Sequence, residues 1–229
     1  MKIAHYQYVG YPRSGSTFLH GVFRQHPYLQ TCTSSVPKEG LYLSLDHYQK
    51  TFDKFDYSIN MNPLLLFDEY STVLKSANLV ATKFFACIRN PFEMIDSLYT
   101  FGSPVKWDES IVKERTDYSQ HLLKFQSIVD KPMKLFYFDD LIVNDQEFIK
   151  HIYNWLEIPC YQTENLDHIF RNESSKTYYT GRQSNTTAVR TNQEPIVHYN
   201  FSDQEIIDIN ANISKFEQLV NKNFDHWKR

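Results

Sequence analysis

Residues 10–17 read Gly-Tyr-Pro-Arg-Ser-Gly-Ser-Thr and join a short apolar segment to a segment with helical periodicity. Residues 3–9 predict one β-strand, and the apolar spacing that follows Ser16 predicts an α-helix that Pro27 ends. A glycine-rich turn between a strand and a helix lets successive backbone N–H groups and the helix N-terminus hold an anion. The stretch therefore predicts an anion-binding turn near the start of the chain.

This turn nearly fits the phosphate-loop pattern G-x-x-x-x-G-K-[ST], because Gly10, Gly15 and Thr17 are in register. The lysine that contacts the β- and γ-phosphates of a nucleoside triphosphate is absent, and Ser16 stands in its place. A cation is supplied earlier in the loop, by Arg13. The alternative interpretation is an ordinary tight turn in which Gly15 only permits the bend.

Predicted strands and helices alternate along the rest of the chain. Apolar and β-branched runs predict buried strands at residues 79–88 and 135–138, and a further strand is expected near residues 29–33. Residues 39–76 are expected to be largely helical, with a break at residues 60–63. The alternation predicts an α/β fold with three layers, in which a mostly parallel central sheet carries helices on both faces. No linker or internal repeat divides the sequence, so we expect a single domain over residues 1–229.

Further helices are predicted in the second half of the chain. Residues 108–129 are expected to be helical. Asn144 with Glu147, and Ser202 with Glu205, are spaced as capping boxes and indicate the starts of two more helices.

The composition is that of a folded protein without bulk positive charge. The chain has 24 Lys and Arg residues against 27 Asp and Glu residues, a formal net charge of -3, and 41% apolar residues. Proteins that hold nucleic acid by bulk charge are usually strongly basic, so no nucleic-acid partner is expected. Cys32, Cys87 and Cys160 do not have zinc-ligand spacing, so no structural zinc site is expected.

The sequence also predicts where the protein is located. No apolar run approaches the ~18 residues that a membrane span needs. Because the glycine-rich loop begins at Gly10, residues 3–9 leave room for one strand and for no signal peptide. A cytoplasmic protein without a membrane span is the resulting expectation.

A second motif follows the predicted strand at residues 79–88. Arg89 ends that strand, Asn90-Pro91 is typical of a helix start, and Ser97 lies two turns into the helix. The carboxyl ends of parallel strands share one edge of a sheet, so Arg89 is expected beside the glycine-rich loop. An arginine with a nearby hydroxyl suits a second phosphate group. The alternative is a surface arginine paired with a neighbouring carboxylate.

Together the two motifs resemble those of the sulfotransferases that use 3′-phosphoadenosine 5′-phosphosulfate (PAPS). In that family the first motif holds the 5′-phosphosulfate and the second holds the 3′-phosphate. The resemblance assigns nucleotide contacts to Arg13, Ser14, Gly15, Ser16 and Thr17 in the first motif and to Arg89 and Ser97 in the second. Residues 134–141, Lys-Leu-Phe-Tyr-Phe-Asp-Asp-Leu, also resemble a family strand that ends in Tyr-Glu-Asp-Leu, with Phe138 in place of the tyrosine. The resemblance covers roughly residues 3–160 and implies the phosphate-loop-like sulfotransferase fold.

The resemblance further implies how sulfuryl transfer is catalysed. Arg13 takes the position of the cation that stabilises charge on the bridging oxygen of PAPS. Glu39 is the expected general base, because the carbohydrate and tyrosyl-protein branches carry a glutamate after a His-Pro pair, as at His26-Pro27. His20 and His47 are the alternative bases, and each is expected at a helix surface.

Further nucleotide contacts and the reaction's partners follow from the same resemblance. Arg190, with Arg182 as a second candidate, is expected to contact the 3′-phosphate. The product is adenosine 3′,5′-bisphosphate (PAP), and no metal is required. The acceptor is expected to be a hydroxyl or an amine on a carbohydrate, lipid, peptide or small metabolite.

Two other functions remain open from the sequence. A phosphate-loop kinase or nucleoside triphosphatase is one, because the strand before Asp139 could supply a magnesium-binding carboxylate. A nucleotide-binding protein without catalytic turnover is the other.

Overall fold

The computed structural model describes residues 4–31, 57–63, 65–67, 70–100, 108–162 and 198–229. Within these ranges five parallel strands form one sheet in the order β2-β3-β1-β4-β5. The strands are β1 Ala4–Tyr8, β2 Leu29–Gln30, β3 Tyr57–Met61, β4 Lys83–Ile88 and β5 Met133–Tyr137. The predicted parallel sheet of an α/β fold is confirmed.

Eight α-helices belong to the described ranges, and a short 3₁₀ turn covers Asp225–Trp227. The helices are α1 Ser16–Gln25, α2 Ser71–Val80, α3 Pro91–Thr100, α4 Glu109–Thr116, α5 Tyr118–Ile128, α6 Phe138–Val143, α7 Asp145–Leu156 and α8 Asp203–Val220. In this part of the chain, no helix is long and apolar enough to span a membrane.

Two apolar clusters lie on opposite faces of the sheet. On one face Phe84, Ala86 and Ile88 of β4 pack with side chains of α2, α3, α5 and α8. On the other face Phe85 and Cys87 pack with side chains of α1 and α7. Successive residues of a strand point to opposite faces, so β4 contributes to both clusters and is buried on both sides. This gives the expected three layers.

Two sequence expectations were wrong. Residues 57–61 are the strand β3 and not helix, because they pair along their whole length with β1. The strand predicted over residues 79–88 begins only at Lys83, since α2 continues to Val80.

The helical prediction for residues 108–129 is confirmed, and these residues form two helices. Asp117 ends α4, and its side chain accepts the N–H of Gln120 at the start of α5.

The predicted helix starts are confirmed. Ser202 and Glu205 form a reciprocal capping box at α8. Asn144 accepts the N–H of Glu147 at α7. Asn90 Oδ1 accepts the N–H of Phe92 at the start of α3, at 3.0 Å. Each cap satisfies a backbone donor that a helix leaves without an intrahelical partner.

Three chain segments meet at the carboxyl edge of the sheet. β1 leads into the glycine-rich loop, β4 leads into Arg89 and α3, and β5 leads into α6. The loop begins against β4, because Val9 N–H donates to the Phe85 carbonyl at 2.9 Å. The edge therefore brings together both motifs that the sequence singles out.

Candidate active site

The glycine-rich loop has two residues in the left-handed region. Gly15 has a φ of 86° and Arg13 a φ of 62°. A Cβ on Gly15 would lie 3.2 Å from Leu141 Cδ2 and 3.3 Å from Phe138, both in α6. Gly15 is therefore needed for its backbone conformation and also for the close approach of α6.

Gly10 is needed for a different reason. A Cβ at this position would overlap the hydroxyl of Tyr8 and lie 3.0 Å from the backbone nitrogen of Cys87. Tyr8 is fully buried in the apolar cluster that packs against α1 and α7. The glycine thus allows the loop to leave the sheet over a buried tyrosine.

We expect Gly10→Ala to lower the free energy of unfolding by about 1–3 kcal/mol, because the new methyl group overpacks a closed core. Chemical denaturation of the variant measures this change. The same substitution in a Tyr8→Leu background removes the overlapping hydroxyl and should have a smaller effect. An equal loss in both backgrounds would show that the steric argument is wrong.

The two motifs contact each other directly. Arg13 Nε donates to Ser97 Oγ at 3.0 Å. Arg89 Nη1 donates to the backbone carbonyl of Arg13 at 3.1 Å. The arginine of each motif is thus bonded to a residue of the other motif, which places two guanidinium groups at the same edge.

Arg89 has two further neighbours. Its Nε donates to Glu93 Oε2 at 3.1 Å, one turn along α3. Its guanidinium carbon lies 4.5 Å from the centre of the Phe138 ring. The predicted alternative, pairing with a nearby carboxylate, is therefore present together with the contact to the loop. Glu93 is half exposed, so this ion pair is a weak constraint on Arg89.

The loop ends at the N-terminus of α1. The N-cap of α1 is Gly15, and no side chain of the described residues caps the helix. Ser14 is buried, and its hydroxyl has no hydrogen-bond partner among the described residues. Ser16 and Thr17 form the first turn of α1, where an α-helix presents backbone N–H groups without intrahelical partners. An anionic group with several oxygens fits this set of donors.

A family model described as a sulfotransferase domain matches residues 8–207. The chain belongs to the sulfotransferase domain family. It is therefore a transferase, and the family takes its sulfuryl group from PAPS and releases PAP. The predicted membership in the PAPS-dependent sulfotransferase family is confirmed.

Solved sulfotransferases have the same fold. A sulfotransferase from Alicyclobacillus acidocaldarius aligns with a TM-score of 0.66 and 12% identity over 100% of both chains. The sulfotransferase domain from the curacin biosynthetic pathway aligns with a TM-score of 0.54 and 13% identity, over 98% of this chain and 99% of its own. A mouse sulfotransferase complexed with PAP aligns with a TM-score of 0.55 and 13% identity, over 96% of this chain and 85% of its own. No curated protein matches the chain.

The comparisons give no support to the kinase alternative. Asp139, the carboxylate that this alternative would use for magnesium, is hydrogen-bonded to residues near the C-terminus. Its Oδ2 accepts the indole N–H of Trp227 at 2.7 Å and lies 2.8 Å from His226 Nε2. Asp139 thus connects the C-terminal residues to the first turn of α6, directly after β5.

Several predicted site residues lie outside the described ranges. These are Glu39, His47, Arg182 and Arg190. His20 is described and corrects one expectation: it is 3% exposed in α1 and not at a helix surface. In the described part of the sulfotransferase, no group of three or more His, Cys, Asp or Glu side chains is arranged to hold a metal. The metal-free reaction stays a prediction.

Sequence reasoning missed a carboxylate that flanks Ser97. Asp96 is 3% exposed, and its oxygens accept the Tyr199 N–H at 2.8 Å and contact His198 Nδ1 at 2.9 Å. Arg229 Nη2 lies 3.5 Å from Asp96 Oδ2. These partners lie about 100 or more residues away in sequence, so no local pattern indicates them.

Proposed function

We propose that the sulfotransferase transfers the sulfuryl group of PAPS to an acceptor hydroxyl or amine by in-line displacement at the edge formed by residues 10–17 and 89–97. One observation carries this proposal: beside the N-terminus of α1, Arg13 is hydrogen-bonded to Ser97 of the second motif, and Arg89 is hydrogen-bonded to the backbone carbonyl of Arg13. This arrangement offers two cationic groups and a helix N-terminus, which suits a nucleotide with two separate phosphate groups.

In this proposal Arg13 lies against the bridging oxygen of the donor. Negative charge develops on that oxygen as the bond to sulfur breaks, and a guanidinium held in advance stabilises it without reorganisation. The bond from Arg13 Nε to Ser97 Oγ gives the guanidinium a defined orientation beside the loop. Ser97 would thus orient Arg13 in addition to its predicted contact with the 3′-phosphate.

Ser14, Gly15, Ser16 and Thr17 would hold the 5′-phosphosulfate. Among the described residues, the Ser14 hydroxyl has no hydrogen-bond partner and no side chain caps α1, and both observations support this assignment. Backbone donors and hydroxyls at a helix N-terminus bind phosphate and sulfate oxygens well, because the helix dipole favours negative charge there.

Arg89 would bind the 3′-phosphate, together with Ser97 and with Arg190 from the later part of the chain. Phe138 supports one face of the Arg89 guanidinium, and Glu93 is exposed enough to release it to a phosphate. A charge-assisted contact to phosphate is stronger than an exposed surface ion pair.

Glu39 completes the proposal as the general base that takes the acceptor's proton. The acceptor is a carbohydrate, lipid, peptide or small metabolite, and a screen of such compounds with radiolabelled PAPS would identify it. The proposal includes a single domain over residues 1–229 and a cytoplasmic location, on the grounds of the sequence.

Binding of PAP tests the nucleotide assignment without an acceptor. Arg89→Ala is expected to raise the Kd of PAP about 10- to 150-fold, because a hydrogen-bonded charged contact contributes about 1.5–3 kcal/mol. Calorimetry measures this change. Arg24→Ala, at the exposed far end of α1, removes the same charge away from the loop and serves as the control. Equal affinities of the two variants would overturn the assignment of Arg89.

A further inference from the structure

The first turn of α5 contacts both nucleotide motifs. The hydroxyl of Tyr118 donates to the backbone carbonyl of Arg89 at 2.9 Å. His121 Nδ1 is hydrogen-bonded to the hydroxyl of Tyr11, at 3.1 Å. Tyr118 and His121 are three residues apart, so they share one face of the helix. Tyr11 belongs to the glycine-rich loop, and Arg89 belongs to the second motif.

These contacts are buried. Tyr11, Tyr118 and His121 are at most 4% exposed, and the centres of the two tyrosine rings are 4.3 Å apart. Burial raises the pKa of both tyrosines, so both hydroxyls keep their protons and can donate. A buried hydrogen bond between closely packed rings leaves each partner little freedom to move.

The start of α5 is itself held in place. Asp117 caps the helix, and the preceding residue Thr116 accepts a hydrogen bond from Asn212 of α8 at 3.3 Å. Asn212 also donates to the Lys113 carbonyl at 3.2 Å. The first turn of α5 is therefore a fixed support, to which two loops of the sheet edge are attached.

We infer that Tyr118 and His121 are positioning residues that set the spacing between the two anion-binding motifs. The inference rests on the proposed function, because it gives Arg89 and the glycine-rich loop separate phosphate groups. Tyr118 acts through the backbone of Arg89, and His121 acts through Tyr11. Neither side chain needs to touch the nucleotide.

The test of Tyr118 compares two nucleotides. Tyr118→Phe keeps the ring and removes only the hydroxyl, and we expect it to raise the Kd of PAP about 2- to 12-fold, the loss of one hydrogen bond. The Kd of adenosine 5′-monophosphate should change less than twofold, because this nucleotide lacks the phosphate assigned to Arg89. A side chain with a structural role alone would weaken both nucleotides equally.

A matched control is available on the other face of the sheet. Tyr6 is 3% exposed, and its hydroxyl donates to the Leu156 carbonyl at 2.6 Å, so Tyr6→Phe loses the same kind of bond. This variant should leave both nucleotide affinities unchanged. If it weakens PAP as much as Tyr118→Phe does, the positioning role of Tyr118 is wrong.

A double-mutant cycle separates this inference from the function on which it rests. In an Arg89→Ala background, Tyr118→Phe should not change the Kd of PAP further, because Tyr118 acts on the nucleotide only through Arg89. If Arg89→Ala alone leaves PAP binding intact, the nucleotide assignment fails. If Arg89→Ala weakens PAP and Tyr118→Phe does not, only the positioning role fails.

His121 is tested through the loop. His121→Phe removes the bond to Tyr11 and should weaken PAP and adenosine 5′-monophosphate by the same factor, about 2- to 12-fold, since the loop holds the phosphate that both share. His121→Asn loses the ring but keeps an amide group that can bond to the Tyr11 hydroxyl, so the partial recovery of affinity that we expect separates the hydrogen bond from a loss of packing alone. An unequal effect on the two nucleotides, or no rescue by His121→Asn, would contradict this role.

Discussion

Arg13→Gln is expected to lower kcat about 10²- to 10³-fold, the range found when one preorganised donor to a developing negative charge is removed. Arg13 projects from the loop that precedes α1 and is bonded to Ser97, so its guanidinium has a defined place before any substrate arrives. A group that acts mainly in the transition state affects turnover more than substrate binding. Turnover with PAPS and the acceptor found by the screen, compared with the Kd of PAP, measures this difference.

Two variants separate the charge of Arg13 from its orientation. Arg13→Lys keeps the charge and loses the planar guanidinium that bonds to Ser97, so its kcat should fall between those of wild type and Arg13→Gln. Ser97→Ala keeps Arg13 and removes its acceptor, and we expect a smaller loss than with Arg13→Gln. If Arg13→Gln retained full turnover, the leaving oxygen would have to be stabilised by another group.

The parts of the fold that were predicted correctly have strong local signals. The turn between β1 and α1 is recognisable because Gly10 and Gly15 allow backbone positions that a side chain would block. The start of α3 is recognisable because Asn90 and the following proline favour a helix start. Such signals depend on a few neighbouring residues, so they can be read without knowing the rest of the structure.

The strand β3 was not predicted from the sequence. Ser58 and Asn60 are polar, yet both are at most 1% exposed, opposite His5 and Gln7 of β1. The Gln7 side-chain amide donates to the backbone carbonyl of Asn60 at 3.2 Å, and the side chains of His5 and Ser58 are hydrogen-bonded to each other, so polar groups of the two strands bond within the sheet. Residues 57–61 do alternate apolar and polar residues, which is a strand signal, but the helical expectation for residues 39–76 covered them.

The residues of the candidate site also fall into those that the sequence could name and those that it could not. Arg13, Arg89 and Ser97 could be named from the sequence because they belong to two compact motifs, and the structure brings them together. Tyr118 and His121 could not be named, because their partners in the motifs are 29 and 110 residues away along the chain. Residues that bind a ligand can be found by their motif, whereas residues that hold the motif in place depend on the tertiary fold.

The general base is the remaining part of the proposed reaction. Glu39→Gln is expected to lower kcat about 10²- to 10⁴-fold, because the amide cannot take the acceptor's proton. The Kd of PAP should stay within about twofold, since the proposed base contacts the acceptor and not the nucleotide. The fall in kcat/KM at low pH that reports the base should also disappear in this variant.

A comparison with His20, an alternative base, shows whether Glu39 takes the proton. His20 is buried one turn beyond Ser16 and Thr17 in α1, so a change there would disturb the helix that carries the loop. His20→Asn should therefore weaken PAP together with turnover, whereas Glu39→Gln should lower turnover alone. Glu147→Gln, at a half-exposed position of α7, controls for the loss of one carboxylate and should leave both quantities unchanged. Full turnover of Glu39→Gln, with the low-pH fall in kcat/KM intact, would show that another residue takes the proton.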